Sequence, residues 1–336
     1  EAGDAYIIRL KSPGREDRKI KHKDIIKGNV EFPENDQDIV IIKGDGLPTY
    51  HFAHAVDDHL MHTTHVIRGD EWLSSVPLHL QLFQVLGFRA PKYAHIAPIM
   101  KNDDGNKRKL SKRKDPEAAV SYYAEEGIPK EAVKEYLLNI ANSTFENWRR
   151  ANPDKGIEEF NLQLNKMSVS GALFDMVKLL DVSKIVISKM SAKEVYNNSL
   201  EWAKKQDNEL AELLENQKDY SIKVFGIERG NKKPRKDISK WSDVKENISY
   251  MYNELFEKDK SEYQYQVINN KEEIEKILDL YITKYYNPED DKQTWFDKIK
   301  ELAGEMGYAK EVKEFKANPN AYKAHVGDVS TVLRVA

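Results

Sequence analysis

Lysines and arginines gather around a single serine between residues 106 and 114. This stretch, NKRKLSKRK, carries six cationic side chains and no acidic one, although the chain has a formal net charge of −3. The asparagine and glycine before it predict a mobile loop. Lysine ammonium groups act as movable point charges on phosphate oxygens, so the stretch predicts a polyphosphate-binding loop. Charge alone favours the alternative, a solvated basic surface or a non-specific contact with nucleic acid.

A second candidate group lies upstream of this loop. Arg68 follows a short predicted strand, and its planar guanidinium matches the geometry of a carboxylate ligand. The alternative role for Arg68 is a structural ion pair with one of the nearby aspartates, at positions 57, 58 and 70. Tyr50 and Trp72 are aromatic residues of the kind that more often fill a core than contact a ligand.

Histidines suggest a different class of protein. Six of the nine histidines fall between His51 and His79, and the pairs His51/His54 and His59/His62 are spaced to share helical faces. Such spacing is one pattern of a metallohydrolase. The HExxH spacing of zinc enzymes is absent, however. A metal site is therefore the minor hypothesis, and we expect no structural metal bound to the protein.

The elements that must position these residues alternate between strand and helix. Strand-like apolar runs occupy residues 38–43, 65–69 and 93–100, and helical patterns occupy residues 49–61 and 77–86. This alternation predicts a parallel α/β sheet. In such sheets, ligands bind beyond the carboxyl ends of the strands, which is where the candidate residues fall.

The flanking segments have a different pattern. Two strand-like stretches precede the predicted sheet, at residues 5–11 and 21–30. After Asp115 the pattern becomes mainly helical, with helices predicted at residues 116–123, 129–142, 171–180, 192–203, 248–256, 271–286 and 294–306.

Composition bounds the class of protein. A chain of 336 residues with 40% hydrophobic content is long enough for two or three domains. The absence of cysteine excludes disulfides and thiolate zinc sites. No apolar run is long enough to span a membrane, and the first residues lack the order of a secretion signal. These features predict a cytoplasmic location.

Residues 45–82 form one long recognisable string. They read DGLPTYHFAHAVDDHLMHTTHVIRGDEWLSSVPLHLQL, and the cationic loop contains KLSKR at residues 109–113. The string closely resembles the catalytic domain of the bacterial glutamyl-tRNA synthetases, and KLSKR resembles the KMSKS loop of class I aminoacyl-tRNA synthetases. The resemblance is tight to Asp115 and looser after it. It implies the second part of a Rossmann-like catalytic domain, followed by a mainly α-helical region.

One departure from the family is large. Its HIGH-type ATP signature does not occur in this sequence, and the glutamate-binding arginine expected near that signature is missing too. We therefore expect a fragment that begins inside the insertion between the two halves of the nucleotide-binding fold and ends before the family's usual terminus. We expect such a fragment not to complete amino-acid activation by itself.

The resemblance implies a function and assigns residues to it. The family ligates L-glutamate to tRNA(Glu) through a glutamyl-adenylate, uses ATP with Mg²⁺, and is expected here as a monomer. By the resemblance, Lys112 and Lys109 are catalytic and bind the ATP phosphates, while Tyr50 and Arg68 bind glutamate. The other implied site residues are Ile99, Met100 and Trp72 for ATP, Glu71 and His54 for the pocket or the tRNA end, and Arg113, Arg235 and Lys236 for tRNA.

The resemblance also implies four regions. They are the end of the inserted acceptor-binding domain, the second half of the nucleotide-binding domain, a helical stem-contact region and a truncated helical anticodon-binding region, at residues 1–36, 37–115, 116–192 and 193–336. A helical carboxyl half favours the glutamyl over the glutaminyl relatives, which carry β-barrels there. The competing hypothesis is a tRNA-binding fragment without catalysis, based on the basic stretch Arg229–Lys240.

Overall fold

The computed structural model describes residues 6–256 and 264–336. Within these residues the strands are short and pair two by two. They are β1 (Ile8–Leu10), β2 (Lys19–Asp24), β3 (Gly28–Pro33), β4 (Ile39–Ile42), β5 (His65–Gly69), β6 (Lys92–Ile96), β7 (Met100–Asp103) and β8 (Asn106–Lys109).

Helices make up most of the remaining structure. They are α1 (Tyr50–Leu60), α2 (Val76–Val85), α3 (Val120–Glu126), α4 (Lys130–Ala141), α5 (Phe145–Ala151), α6 (Met176–Lys189), α7 (Ala192–Gln206), α8 (Asn208–Asn216), α9 (Lys218–Gly226), α10 (Val244–Ile248), α11 (Asn253–Phe256), α12 (Lys271–Leu280), α13 (Lys292–Glu305), α14 (Val312–Ala317) and α15 (Val326–Val335). A 3₁₀ helix, Asp70–Ser75, joins β5 to α2.

The parallel part of the predicted sheet is the unit β5–α2–β6. Strands β5 and β6 run parallel, with Arg68 opposite His95 in the register. Helix α2 has a proline in its first turn and is followed by Gly87 at φ +70°, which ends it. The prediction that residues 38–43 join the same parallel sheet is wrong. Strand β4 pairs antiparallel with β1, and its four residues are only half-buried.

The single strand predicted at residues 21–30 is also wrong, because the chain turns back at Asp24. The Asp24 carboxylate accepts hydrogen bonds from the backbone N–H groups of Ile26 and Lys27, at 2.9 Å each. Gly28 follows at φ +76°, a conformation that favours glycine. The result is an antiparallel hairpin of β2 and β3. We call it the Asp24 hairpin.

The mobile loop predicted around the lysine cluster is instead an antiparallel hairpin with a tight turn after it. Strands β7 and β8 pair from Met100/Lys109 to Asp103/Asn106. The two residues between the strands both have positive φ, which is the geometry of a two-residue hairpin turn. We call residues 100–115 the lysine hairpin.

Most helix predictions are confirmed. Those at residues 49–61, 77–86, 129–142, 192–203 and 294–306 correspond to α1, α2, α4, α7 and α13. The helices predicted at residues 116–123 and 248–256 are confirmed only in part, because the 3₁₀ turns Pro116–Ala118 and Ser249–Met251 precede α3 and α11. The helix predicted at residues 271–286 is also confirmed only in part, because α12 is followed by a π-helix, Tyr281–Tyr285.

The helix predicted from Gly171 begins only at Met176. The backbone before it is extended against the lysine hairpin, where Met100 N donates to Ala172 O at 2.8 Å and Phe174 N donates to Met100 O at 2.7 Å. A Cβ at Gly171 would lie 2.6 Å from the carbonyl oxygen of Pro98, so this approach requires glycine. Residues 171–174 therefore fix the base of the hairpin.

The chain divides into two compact units, Glu1–Met251 and Tyr252–Ala336. In the first unit, one core cluster surrounds Leu82 and another surrounds Leu179. The second unit has its own core around Leu302. Helices α7 to α10 belong to the first unit, so the predicted boundary at residue 192 is not the division between units. The functional assignment of the four regions stays a prediction.

No helix among residues 6–256 and 264–336 combines the length and the apolar character needed to cross a lipid bilayer.

Candidate functional site

Arg68 lies at the carboxyl end of β5 and is held by uncharged groups. Its Nε donates to His95 Nε2 at 3.0 Å, Nη1 donates to His79 Nδ1 at 3.1 Å, and Nη2 donates to the Trp72 carbonyl at 3.3 Å. The guanidinium carbon also lies 4.8 Å from the centre of the Tyr93 ring. Among the described residues no carboxylate forms an ion pair with Arg68.

The structural ion pair considered for Arg68 is therefore not formed in the described part of the chain. Asp58 binds His54, with 2.8 Å between Oδ2 and Nδ1. Asp70 binds Lys27, with 3.2 Å between Oδ2 and Nζ. Both carboxylates already have partners of their own, which leaves the positive charge of Arg68 available.

Asp24 determines which nitrogen of His95 carries the proton. Its Oδ2 lies 2.6 Å from His95 Nδ1, and both side chains are fully buried. Because a carboxylate only accepts, Nδ1 must donate, and Nε2 is left bare to accept from Arg68. The tautomer of His79 is determined in the same way. Its Nδ1 accepts from Arg68, so its Nε2 donates to His51 Nδ1 at 2.8 Å.

His54 belongs to the same group of side chains, which we call the Arg68 cluster: Arg68, His51, His54, His79, Tyr93 and His95. The Nδ1 of His54 faces Asp58, and its Nε2 accepts from the Tyr93 hydroxyl at 2.9 Å. Only 7% of its side chain is exposed. The resemblance predicted that His54 lies at the pocket or the tRNA end. In the structure both of its ring nitrogens have partners, Tyr93 for one and Asp58 for the other.

Burial keeps these histidines neutral. Desolvation, followed by the neighbouring His54 and Arg68, lowers the pKa of His79 to about 2. Burial is also the largest cause that lowers the pKa of His51, His54 and His95. Burial lowers the pKa of Arg68 as well, but a guanidinium stays charged in proteins. The cluster therefore presents a single fixed positive charge.

Two aromatic residues form the exposed edge of this cluster. Tyr50 begins α1 and is 54% exposed, so it is not a core residue. Its ring centre lies 4.7 Å from that of Trp72, on the 3₁₀ helix that follows β5. The start of α1 is fixed against β4, because the Thr49 hydroxyl donates to Val40 O at 2.9 Å.

The turn after the lysine hairpin is organised by Asp115. Arg108 donates to its two carboxylate oxygens, at 2.6 and 2.8 Å, and Ser111 N donates to Oδ2 at 2.9 Å. Lys101 adds a contact of 3.1 Å. These partners, Arg108 first, hold the pKa of Asp115 well below its usual range. Arg108 is therefore a structural cation within the cluster of six.

The remaining cations of this segment are more exposed. Lys109 Nζ lies 3.4 Å from Glu71 Oε2, and both side chains are more than half exposed. Glu71 directly precedes Trp72, so this contact joins the lysine hairpin to the rim of the Arg68 cluster. Lys112 and Arg113 are exposed, and neither side chain has an ion pair within the described ranges.

Ile99 and Met100 were predicted to contact ATP, and several of their backbone groups already have hydrogen-bond partners within the chain. Ile99 O accepts from Leu110 N at 2.9 Å, and both backbone groups of Met100 bind the segment at residues 171–174. These three backbone groups therefore already have partners, and a backbone contact with adenine stays a prediction. A side-chain contact with adenine stays a prediction.

The basic stretch at residues 229–240 is mostly structural at its arginines. Arg235 binds Asp237, with 2.8 Å between Nε and Oδ1, and its side chain is only 15% exposed. Arg229 Nη1 donates to Ile187 O at 2.6 Å. The expected tRNA contact of Arg235 is thus opposed by its existing bonds, whereas Lys236 is exposed.

The histidine hypothesis of a metal site has no geometric support. The described residues contain no group of three or more His, Cys, Asp or Glu placed to hold a metal ion. Both ring nitrogens of His54, His79 and His95 are bound to Arg68, Asp24, Asp58, Tyr93 or His51, whereas the buried Nε2 of His22 has no hydrogen-bond partner among the described residues.

Sequence reasoning missed Asp24, Tyr93 and His95. One signal was available: the strand KYAHI at residues 92–96 is apolar enough to be buried, yet it carries a histidine. A buried histidine needs a partner, and the parallel register with β5 makes Arg68 that partner.

Comparison with known proteins places the chain in a family. Residues 1–181 match the family model described as tRNA synthetases class I (E and Q), catalytic domain. The chain is 55% identical over 337 residues to the glutamate–tRNA ligase of Clostridium perfringens (strain 13 / Type A), and 52% identical over 340 residues to that of Clostridium beijerinckii. These alignments cover the whole of this chain but only 62% and 61% of those relatives.

Solved structures agree on the fold. The chain matches the glutamate–tRNA synthetase of Elizabethkingia anophelis with a TM-score of 0.63 and 24% identity, covering 98% of this chain and 66% of that one. The Elizabethkingia meningosepticum glutamate–tRNA ligase, solved in complex with its amino acid, has the same TM-score at 23% identity, covering 98% of this chain and 67% of that one. Because the family model covers residues 1–181 of 336, more than half of the chain, the chain belongs to the class I tRNA synthetases of the E and Q group.

Proposed function

We propose that this chain supplies the amino-acid pocket and the phosphate-facing hairpin of a glutamate–tRNA ligase. The reaction joins L-glutamate to tRNA(Glu) through a glutamyl-adenylate made from ATP. The observation that carries the proposal is the charge of Arg68, whose hydrogen-bond acceptors among the described residues are all neutral. The names of the relatives support the same substrate.

Arg68 has the right donors left for a carboxylate. A guanidinium carries five N–H donors, and three are used by His95, His79 and Trp72, which leaves two for the Tyr50 hydroxyl, a further partner of the guanidinium, and for a ligand. A carboxylate of glutamate would bind these donors and balance the half-buried charge of Arg68. Tyr50, at the exposed edge, offers a hydroxyl to the same ligand. An uncharged ligand such as glutamine would place no anion in direct contact with Arg68.

Activation needs positioning and charge stabilisation more than a protein nucleophile. The α-carboxylate oxygen of glutamate attacks the α-phosphorus of ATP, the bond to the bridging oxygen breaks, and pyrophosphate leaves with the released negative charge. Lys112, with Lys109 beside it, would stabilise that charge from the lysine hairpin. Removing one such donor typically lowers the rate roughly a hundred- to a thousandfold.

Magnesium enters this proposal with ATP, as part of the substrate. Mg²⁺ commonly keeps several waters and binds through substrate phosphates. The residues of this chain would then act on the Mg-ATP complex through cationic side chains such as Lys112.

Contact with tRNA would involve exposed cations. Arg113 and Lys236 are exposed, and no ion pair is formed by either side chain in residues 6–256 and 264–336. Glu71 at the rim would limit where the tRNA end enters, because it repels phosphate. The competing function, tRNA binding without catalysis, uses the same cations.

Binding of an adenylate analogue tests the proposal. Because the sequence predicts that the chain alone does not complete activation, affinity is measured rather than turnover. Glutamyl-sulfamoyl-adenosine has no free α-carboxylate, so its side-chain carboxylate is the group left to pair with Arg68. We expect Arg68→Gln to weaken binding by about 10- to 100-fold in calorimetry, and to remove the preference over the glutaminyl analogue.

Arg89→Gln is the matched control, because Arg89 is an exposed arginine outside the cluster. We expect it to bind the analogue as the unmodified chain does. Equal affinity of Arg68→Gln and the unmodified chain would reject the proposed role of Arg68. Salt-sensitive binding of tRNA without any binding of the analogue would favour the non-catalytic function instead.

A further inference from the structure

We propose that Asp24, on the Asp24 hairpin, is a positioning residue for Arg68 that acts through the tautomer of His95. Through this chain of bonds, the state of the hairpin controls how the pocket receives its carboxylate ligand. The inference rests on the proposed function only in taking the ligand of Arg68 to be a carboxylate.

Both carboxylate oxygens of Asp24 accept hydrogen bonds. One oxygen, Oδ1, accepts from the backbone N–H groups of Ile26 and Lys27 at 2.9 Å each and from His95 N at 3.3 Å. The other, Oδ2, accepts from His95 Nδ1 at 2.6 Å. The turn is also bound to β6, because Ile25 N donates to Tyr93 O at 2.9 Å. The hairpin and strand β6 therefore hold Asp24 in one orientation.

His95 transmits that orientation to the guanidinium. With the proton on Nδ1, the bare Nε2 accepts from Arg68 Nε at 3.0 Å. With the proton on Nε2, two N–H groups would face each other at that distance, and Arg68 would have to move. His95 is fully buried, so water cannot take over the lost bond. The tautomer therefore decides whether Arg68 keeps its position.

Asp24→Asn reverses this tautomer while keeping the shape of the side chain. The backbone N–H groups of Ile26 and Lys27 require an acceptor, so the amide oxygen takes the place of Oδ1. The amide NH₂ then takes the place of Oδ2 and donates to His95 Nδ1, which moves the imidazole proton to Nε2. We expect this variant to bind glutamyl-sulfamoyl-adenosine at least about tenfold more weakly.

His95→Gln separates positioning from simple support of the fold. A glutamine at residue 95 can present its carbonyl oxygen to Arg68 without any tautomer. Asp24→Asn is then expected to change affinity less than about threefold in the His95→Gln background, against at least about tenfold in the unmodified chain. Equal losses in both backgrounds would mean that Asp24 only supports the fold. Asp36→Asn, an exposed aspartate, is the control and should change nothing.

Nitrogen-15 NMR of the imidazoles reads the tautomer without any ligand. We expect His95 as the Nδ1–H form in the unmodified chain and as the Nε2–H form in Asp24→Asn, with a shifted Arg68 Nε–H signal. An unchanged tautomer, or a reversed tautomer with unchanged affinity, overturns the inference. If the unmodified chain does not bind the analogue at all, the proposed function fails. The Arg68 signal then decides the positioning role by itself.

Discussion

Arg68 is a half-buried cation next to neutral histidines, and this arrangement lowers the stability of the fold in acid. His79 is neutral in the folded protein, with a pKa lowered to about 2, mainly by burial. In the unfolded chain a histidine titrates near about 6.5. Below that pH the unfolded state binds one more proton than the folded state, so stability is fully present above pH 6.5 and falls as the pH falls.

The size of that acid effect is testable. We expect the free energy of unfolding to fall by about 1.4 kcal/mol for each pH unit below 6.5 from His79 alone. Urea denaturation between pH 7 and 4.5 measures it, in a range that lies mainly above carboxyl titration. His79→Gln should reduce the slope by about one proton. An identical slope in both proteins would contradict the assignment of His79 as a neutral acceptor.

At the residue scale, the sequence predicted the residues that carry a recognisable string and missed those that depend on the fold. The resemblance assigned roles to Tyr50, Arg68 and Lys112, and these roles stay predictions. Asp24 was not found, because its partner His95 is 71 positions away and meets it only after the hairpin docks on β6. No local pattern reports such a contact.

At the scale of secondary-structure elements, the order of the lysine hairpin can be tested directly. Its turn is fixed by Asp115, which binds Arg108 through two parallel hydrogen bonds and also binds Ser111 N. Asp115→Asn removes the charge that both groups share. We expect trypsin to cleave after Lys112, Arg113 or Lys114 several times faster in this variant, because cleavage requires local opening.

Asp104→Asn is the control for that experiment. Asp104 is exposed at the tip of the hairpin with φ +49°, a conformation that asparagine also tolerates. We expect its cleavage rate to match the unmodified chain. Equal acceleration by both substitutions would mean that Asp115 does not hold the turn.

Lys112 and Lys107 test the function of the same hairpin. Both are exposed lysines with no ion pair among the described residues, and only Lys112 belongs to KLSKR. We expect Lys112→Ala to weaken binding of Mg-ATP roughly tenfold, as the loss of a charge-assisted hydrogen bond. Lys107→Ala should stay within about twofold, as an exposed charge outside the motif. Equilibrium dialysis measures both, and equal losses would point to general charge attraction.

Elements with a strong apolar period were predicted well, and polar strands were not. Helices such as α4 and α13 bury one face, which their sequences display. Three of the four strands in the two hairpins read KIKHKD, MKND and NKRK, with little apolar alternation. Their pairing depends on turn residues and cross-strand partners. The antiparallel pairing of β4 could likewise not be predicted, because an apolar run does not specify the direction of the neighbouring strand.

At the scale of the whole molecule, the division after Met251 was also not predicted. Helices occupy the sequence on both sides of it, so no change of composition marks the place. Each unit is nevertheless defined by its own core. Leu179 is fully buried in the first unit, and Leu302 is fully buried in the second. Separate cores predict separate unfolding.

Leucine-to-alanine substitutions in the two cores test this expectation. Each should cost about 2–5 kcal/mol, from lost burial and the cavity left behind. We expect urea denaturation to show two transitions, with Leu302→Ala lowering the midpoint of one and Leu179→Ala that of the other. Leu137→Ala, at a leucine that is 40% exposed, should cost less and serves as the control. A single transition, lowered equally by both core variants, would mean that the two units unfold together.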